Sequence, residues 1–187
     1  MRLILASASP RRAELLRAAG FEFEILPADV DESRLPDEEP ADYVVRLARV
    51  KVQSAPADGP DDIVVGADTA VVVADHLLGK PADAAEAEQM LRMLAGNTHD
   101  VLTGVAVRAG ARIGSAVEKT RVHLLPLTHA EIVAYVAGGE PYGKAGAYAI
   151  QGQASRFVDW IEGSYSNVVG LPVATVYRLI RELLLEP

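Results

Sequence analysis

Apolar and polar positions alternate between two periods along the chain. "RLILA" is a short apolar run that predicts a buried strand, and "SASPRRAELLRAAG" then predicts a loop feeding a helix, with Ser9 as N-cap, Pro10 in the first turn and Gly20 past the end. "FEFEIL" alternates with period two and predicts a strand. A helix is expected from Ala41 to Val52, where Val44, Val45, Leu47 and Ala48 interleave with Arg46, Arg49 and Lys51. "DIVVGAD" and "AVVVAD" predict two short strands around Ala67, Asp68 and Thr69, and Asp83 to Leu94 is amphipathic at helical period. Further strands are expected at 101–107, 116–124, around Tyr148 and around Phe157, with helices at 130–136 and 174–184. Strands and helices intermix, which predicts an α/β or α+β fold built on a mixed sheet. Ala55 to Asp62, with Pro56, Gly59 and Pro60, reads as a surface loop too short to divide domains, so a single domain over 1–187 is expected.

Composition narrows the function classes. The chain has 187 residues, half of them hydrophobic, enough for a core that needs no staples. It contains no cysteine, which removes disulfide scaffolds, thiol catalysis and cysteine-ligated zinc, and is compatible with a reducing cytoplasm. A formal charge of −8 argues against wrapping a nucleic-acid polymer, which needs a broad basic face. A small anionic ligand needs only a local basic cluster. No apolar run approaches the ~18–20 residues of a membrane span, and Leu3 to Ala6 is too short for a signal-peptide core, so no membrane partner is expected.

Common catalytic motifs are missing. "GEPYGKAG" has the wrong glycine spacing for a Walker loop and places Ala145 where a Ser or Thr would hold magnesium. The four histidines, His76, His99, His123 and His129, are scattered, and "GSYSNVVG" lacks the spacing of a nucleophile elbow. What remains is a set of polar residues where apolar runs end. Ser7, Ser9, Arg11 and Arg12 lie between the first strand and first helix, where hydroxyls, guanidinium groups and a helix N-terminus can converge on a phosphate. The same pattern equally fits a capped helix with two solvated arginines. Asp68, set between two sheet-like runs, is either a carboxylate in a tight turn or a buried one that a metal, cation or donors must compensate.

Fourteen arginines and only four lysines are present, and Lys51, Lys80 and Lys144 adjoin unusual segments. A compact ammonium suits a phosphate oxygen, although each is equally readable as a surface lysine. "KAGAYAIQG" predicts a turn leading into a short strand that ends at Gln151, which is either a surface residue in a turn or an amide offering both a donor and an acceptor to a pyrimidine edge. Glu32, in the acidic loop "DVDES", can either be solvated or reach a magnesium held by Asp68.

Six ordered segments, "LILASASPRRAELL", "VVGADTAVVV", "LGKP", "TGVAV", "KAGAYAIQG" and "GSYSNVVGLP", closely resemble the Maf family of nucleoside triphosphate pyrophosphatases, also known by a septum-formation name. The resemblance runs from about Leu3 to Leu184. It implies an α/β fold with a mixed twisted sheet flanked by helices, two lobes with a central cleft as in inosine-triphosphate pyrophosphatases, and a cytoplasmic homodimer. It implies hydrolysis of a nucleoside triphosphate to the monophosphate and pyrophosphate with a divalent metal, Mg2+ or Mn2+. By motif, Asp68 matches the catalytic carboxylate, and Ser7, Arg11, Arg12, Lys51 and Lys80 match phosphate-handling positions. Glu32 matches the acidic residue near the metal, and Arg11, Thr69 and Gln151 match positions associated with base specificity. The "KAGAYAIQG" form resembles the subgroup acting on dTTP and UTP.

On that basis water attacks the α-phosphorus in line, Asp68 orients and deprotonates it, and the cations stabilise the departing pyrophosphate. Two other readings stay open at this point. One keeps the reaction and moves the substrate to a modified or other triphosphate; the second is a nucleotide-binding regulator of septum formation with negligible turnover.

Overall fold

A computed structural model describes residues 2–57, 59 and 61–185. The described residues form a seven-stranded mixed sheet. Its strands are β1 (Leu3–Leu5), β2 (Glu24–Ile25), β3 (Ile63–Val73), β4 (His76–Leu78), β5 (Thr98–Ala109), β6 (Arg112–Leu124) and β7 (Val158–Glu162). Six run in the order β2-β1-β3-β5-β6-β7, and β4 pairs with β3. β1 is parallel to both β2 and β3, whereas β4 lies antiparallel to β3 and β7 antiparallel to β6. The helices are α1 (Pro10–Ala18), α2 (Pro40–Ser54), α3 (Ala84–Leu94), α4 (His129–Ala137), α5 (Tyr165–Val169) and α6 (Val173–Leu185). The α/β class and the mixed sheet expected from the sequence are both present.

The chain divides into two compact units. The first comprises residues up to Asp68, Thr103–Glu118 and those from Gly170 on; the second comprises Thr69–Leu102 and Lys119–Val169. In the first unit, strand alternation sorts side chains onto two faces. Ile4, Ala6, Val64 and Ala106 point to the face covered by Ala48 and Val52 of α2. Leu5, Ile63, Val65, Ala67, Val105 and Val107 point the other way, against Ala13 and Leu16 of α1 and Val176, Leu179 and Ile180 of α6. α1 starts as expected, with Pro10 in its first turn, extended backbone at Ser9 and a positive φ of 82° at Gly20. The Ser9 side chain, however, makes no capping bond.

In the second unit, α3 packs on α4 and on a 3-10 turn at Ala145–Ala147. Asp83 caps α3 by accepting the Glu86 N–H, and Thr128 and Glu131 form a reciprocal capping box on α4.

Four expectations are corrected. The two short runs around Asp68 are one continuous eleven-residue strand. "FEFEIL" pairs only at Glu24 and Ile25, as a parallel edge. No strand forms around Tyr148: residues 145–147 and 153–157 are 3-10 turns, and their N–H groups find acceptors in Glu140 and in turn carbonyls. Phe157 ends the second of those turns, so β7 begins one residue later.

Candidate functional site

In the first unit, α2 sits unusually close to the sheet because two strand positions lack a side chain. A Cβ on Gly66 of β3 would fall 2.8 Å from Val52 Cγ1 and 2.9 Å from the Ala48 carbonyl oxygen, and one on Gly104 of β5 would overlap the Val44 carbonyl. Only glycine permits that approach. The buried face of α2 comprises Val44, Leu47, Ala48, Lys51 and Val52, so Lys51 lies on the apolar stripe and is just 6% exposed. Asp68, two residues beyond Gly66 and on the same face of β3, is 8% exposed. The Lys51 Nζ donates to Asp68 Oδ1 at 2.6 Å. A buried carboxylate and a buried ammonium, each costly alone, thus compensate each other.

Glu32 joins this pair from the loop before α2, its Oε1 2.6 Å from Lys51 Nζ. That loop is tied to α2: the Tyr43 hydroxyl donates to the Glu32 carbonyl at 2.9 Å, and Arg46 donates to the Ser33 carbonyl and to both oxygens of Glu38. Burial raises the Tyr43 phenol, and the negative charges of Asp68 and Glu32 add to the effect.

The β1–α1 connection supplies the remaining groups of this unit. Ser7, buried, accepts the Ser9 N–H at 3.2 Å and Arg12 Nη1 at 3.1 Å, while Arg12 Nε donates to the Gly170 carbonyl at 2.8 Å. The "SASPRR" segment is therefore not a capped helix with two solvated arginines, because Arg12 is fixed at both edges of its guanidinium. Burial pushes Arg12 down from its ordinary value; Asp68 and Glu32 pull it up, and Arg11 adds to the depression. Burial also lowers Arg11, opposed by Glu14. Three cations, Arg11, Arg12 and Lys51, stand with two carboxylates, Glu32 and Asp68, a balance that suits a polyanion arriving with a cation.

Thr69, Lys80 and Gln151 belong to the second unit. Thr69 follows Asp68 in β3, so strand alternation turns it to the opposite face. Lys80 is exposed, and the Gly79 carbonyl beside it accepts the Gly146 N–H at 3.0 Å, which joins the "LGKP" and "KAGAYAIQG" segments. A Cβ on Gly146, whose φ is +69°, would fall 2.9 Å from Val71 Cγ2. Gln151 is exposed on a turn closed by the Gly152 N–H donating to the Ala149 carbonyl at 3.0 Å. Lys144 folds back onto the carbonyls of Glu140 and Tyr142.

Glu140 went unremarked in the sequence, and His99 was named there only as one of four scattered histidines. His99 is 2% exposed, its Nε2 is 2.8 Å from the Tyr148 hydroxyl, and burial lowers it to about 4. Glu140 accepts from Tyr135, Gln153 and Ala154. The one signal for Glu140 was an acidic residue in a glycine-rich turn just before "KAGAYAIQG".

Glu32 and Asp68 are the two side chains of this cluster that could hold a hard divalent cation. Both present carboxylate oxygens to one cationic centre, the Lys51 ammonium, and oxygen donors suit Mg2+ or Mn2+. Among the described residues no group of three or more His, Cys, Asp or Glu side chains gathers, so further ligands would come from phosphate oxygens and water.

Residues 2–183 match the profile of the family described as Maf-like protein. The chain is 52% identical over 182 residues to the dTTP/UTP pyrophosphatase of Koribacter versatilis, covering 97% of this chain and 94% of that one. It is 53% identical over 184 residues to the dTTP/UTP pyrophosphatase of Anaeromyxobacter dehalogenans, covering 96% and 93%. A crystal structure of protein VC0702 from Vibrio cholerae shares the fold, with a TM-score of 0.50 at 16% identity, over 100% of this chain and 97% of that one.

Proposed function

The chain belongs to the Maf-like family, and from this premise we propose that it hydrolyses dTTP and UTP to the monophosphate and pyrophosphate. The observation that carries this reading is the buried Lys51–Asp68 pair joined by Glu32. It sets a base beside cations suited to a triphosphate, in a chain half identical to enzymes bearing that name.

Asp68 is the catalytic carboxylate. It orients a water toward the α-phosphorus and takes its proton as the new P–O bond forms. The bond from the α-phosphorus to the bridging oxygen breaks, and its electron pair leaves on pyrophosphate. Lys51, Arg11, Arg12 and Lys80 oppose the charge that grows there, and Ser7 offers a hydroxyl to a phosphate oxygen. Glu32 and Asp68 would hold Mg2+ or Mn2+; bound there, the ion would screen phosphate charge and lower the cost of anionic attack. Gln151 reads the pyrimidine edge, with Thr69 and Arg11 assigned to base selection. An exocyclic amine on cytosine puts a donor where uracil and thymine put an acceptor, so an amide set for one mismatches the other. The thymine methyl discriminates weakly, which is why both dTTP and UTP are accepted.

The reading extends to a cytoplasmic homodimer with a role in limiting nucleotide pools and in division arrest. The lack of cysteine is compatible with that compartment, and among the described residues no helix is long and apolar enough to cross a membrane. Sedimentation of the purified protein tests the dimer.

A panel of nucleoside triphosphates, assayed for pyrophosphate release with magnesium, manganese and chelator, tests the activity. Turnover of dTTP and UTP at least about tenfold above CTP, abolished by chelator, is expected. Tight dTTP binding without product would replace the enzyme with a nucleotide sensor.

A further inference from the structure

Gln151 lies in a turn, not in a strand of the sheet. Its turn is held instead from both ends by one small polar unit. On the upstream side, the buried Ala149 N–H donates to the Tyr135 hydroxyl at 3.2 Å. On the downstream side, the N–H groups of Gln153 and Ala154 donate to the Glu140 carboxylate at 2.9 and 3.2 Å. The Tyr135 hydroxyl donates to Glu140 Oε1 at 2.7 Å and closes the circuit. Gly152 lies flat on that carboxylate, where a Cβ would come 2.7 Å from Oε1. Tyr135 itself is 1% exposed, wedged edge-on against Phe157, so the unit has a rigid footing in α4.

We propose that Glu140, acting with Tyr135, is a positioning residue that fixes the Gln151 turn and thereby sets selectivity among pyrimidine triphosphates, an inference that rests on the assignment of Gln151 to base reading. An exposed amide can tell an acceptor from a donor only if its own orientation is held, and holding both ends of the turn removes the ordering cost from the binding step. The chemistry requires a carboxylate. Three donors converge on two oxygens, and burial, which alone would raise the Glu140 carboxyl, is outweighed by the Gln153 N–H, the Tyr135 hydroxyl and the Ala154 N–H, which keep it ionised. A glutamine of the same shape has one oxygen and one NH2 group, so in either orientation an N–H meets an N–H.

The test compares kcat and KM for UTP and CTP in the wild type, Glu140→Gln, Gln151→Ala and the double variant, with thermal unfolding of each. Glu140→Gln is expected to reduce the UTP to CTP ratio about tenfold, chiefly through KM for UTP, and the double variant to be no less selective than Gln151→Ala alone. Tyr135→Phe, which removes a single hydroxyl, is expected to move the ratio the same way and serves if Glu140→Gln folds poorly. Wild-type selectivity in a folded Glu140→Gln or Tyr135→Phe protein overturns the proposal, as do additive losses in the double variant. Unchanged selectivity in Gln151→Ala would instead show that the base-reading assignment is wrong, and Glu140 would then have no reader to position.

Discussion

Gly104 in β5 lies against the main chain of Val44 in α2 so closely that a Cβ there would overlap the Val44 carbonyl and come 2.5 Å from the Val45 nitrogen. With Gly66 in β3, it lets the helix settle onto the sheet far enough for Lys51 to reach Asp68. A methyl group at 104 meets backbone, which cannot rotate away. Gly104→Ala is therefore expected to cost about 3 kcal/mol, at the upper end of ordinary overpacking. In a chain of this size that lowers the unfolding midpoint by about 6–12 °C, read by thermal denaturation. Activity should fall too, since lifting α2 lengthens the Lys51–Asp68 bond.

Asp68→Asn separates chemistry from folding. The amide keeps the shape and can still accept from Lys51, and Lys51 keeps Glu32 as a partner. Stability should drop by only about 1 kcal/mol. Loss of the base should reduce kcat by ~10²–10⁴-fold. Near-normal turnover in a folded Asp68→Asn protein would remove the residue from its assigned role.

The sequence showed helices where an apolar stripe repeats at helical spacing and start and stop residues agree, as in α1, α2, α3 and α6. It misjudged elements whose partners lie far away in the chain. For Asp68 a turn carboxylate and a buried, compensated one both stayed open, because nothing local decides between them; the compensating cation is Lys51, seventeen positions earlier. Lys51 stood out in the sequence as one of few lysines, but its place on the buried face of α2 shows only in the structure. Short strands were expected around Tyr148 and Phe157, where apolar residues follow a glycine-rich turn. In fact N–H groups of this segment are satisfied by Tyr135, Glu140 and the Gly79 carbonyl. β4 and α5, at three and five residues, are too short to leave a period.

Arg12 illustrates why one cation cannot stand for another. Its guanidinium donates from Nη1 to Ser7 and from Nε to the Gly170 carbonyl, two acceptors met by one rigid fork. A lysine ammonium has the charge without the fork. Arg12→Lys is expected to lower kcat/KM for dTTP by about tenfold through loss of a bond to a charged group, and Arg12→Ala by more. Steady-state kinetics with both variants checks the order.

His99 ties stability to acidity. The ring is buried beside Tyr148, and desolvation lowers its value from 6.5 to about 4, with Asp100 opposing and His123 adding. The unfolded chain therefore takes up a proton before the folded one does as the solution is acidified. The stabilising contribution is complete above about pH 6.5 and is lost between there and pH 4, about 3 kcal/mol in all. Equilibrium urea unfolding at pH 7.5 and pH 5 should show a loss of about 2 kcal/mol in the wild type beyond that of His99→Gln, whose side chain does not titrate. Equal losses in the two proteins would mean that the imidazole is protonated in the folded state at pH 5, which its burial against the Tyr148 hydroxyl opposes.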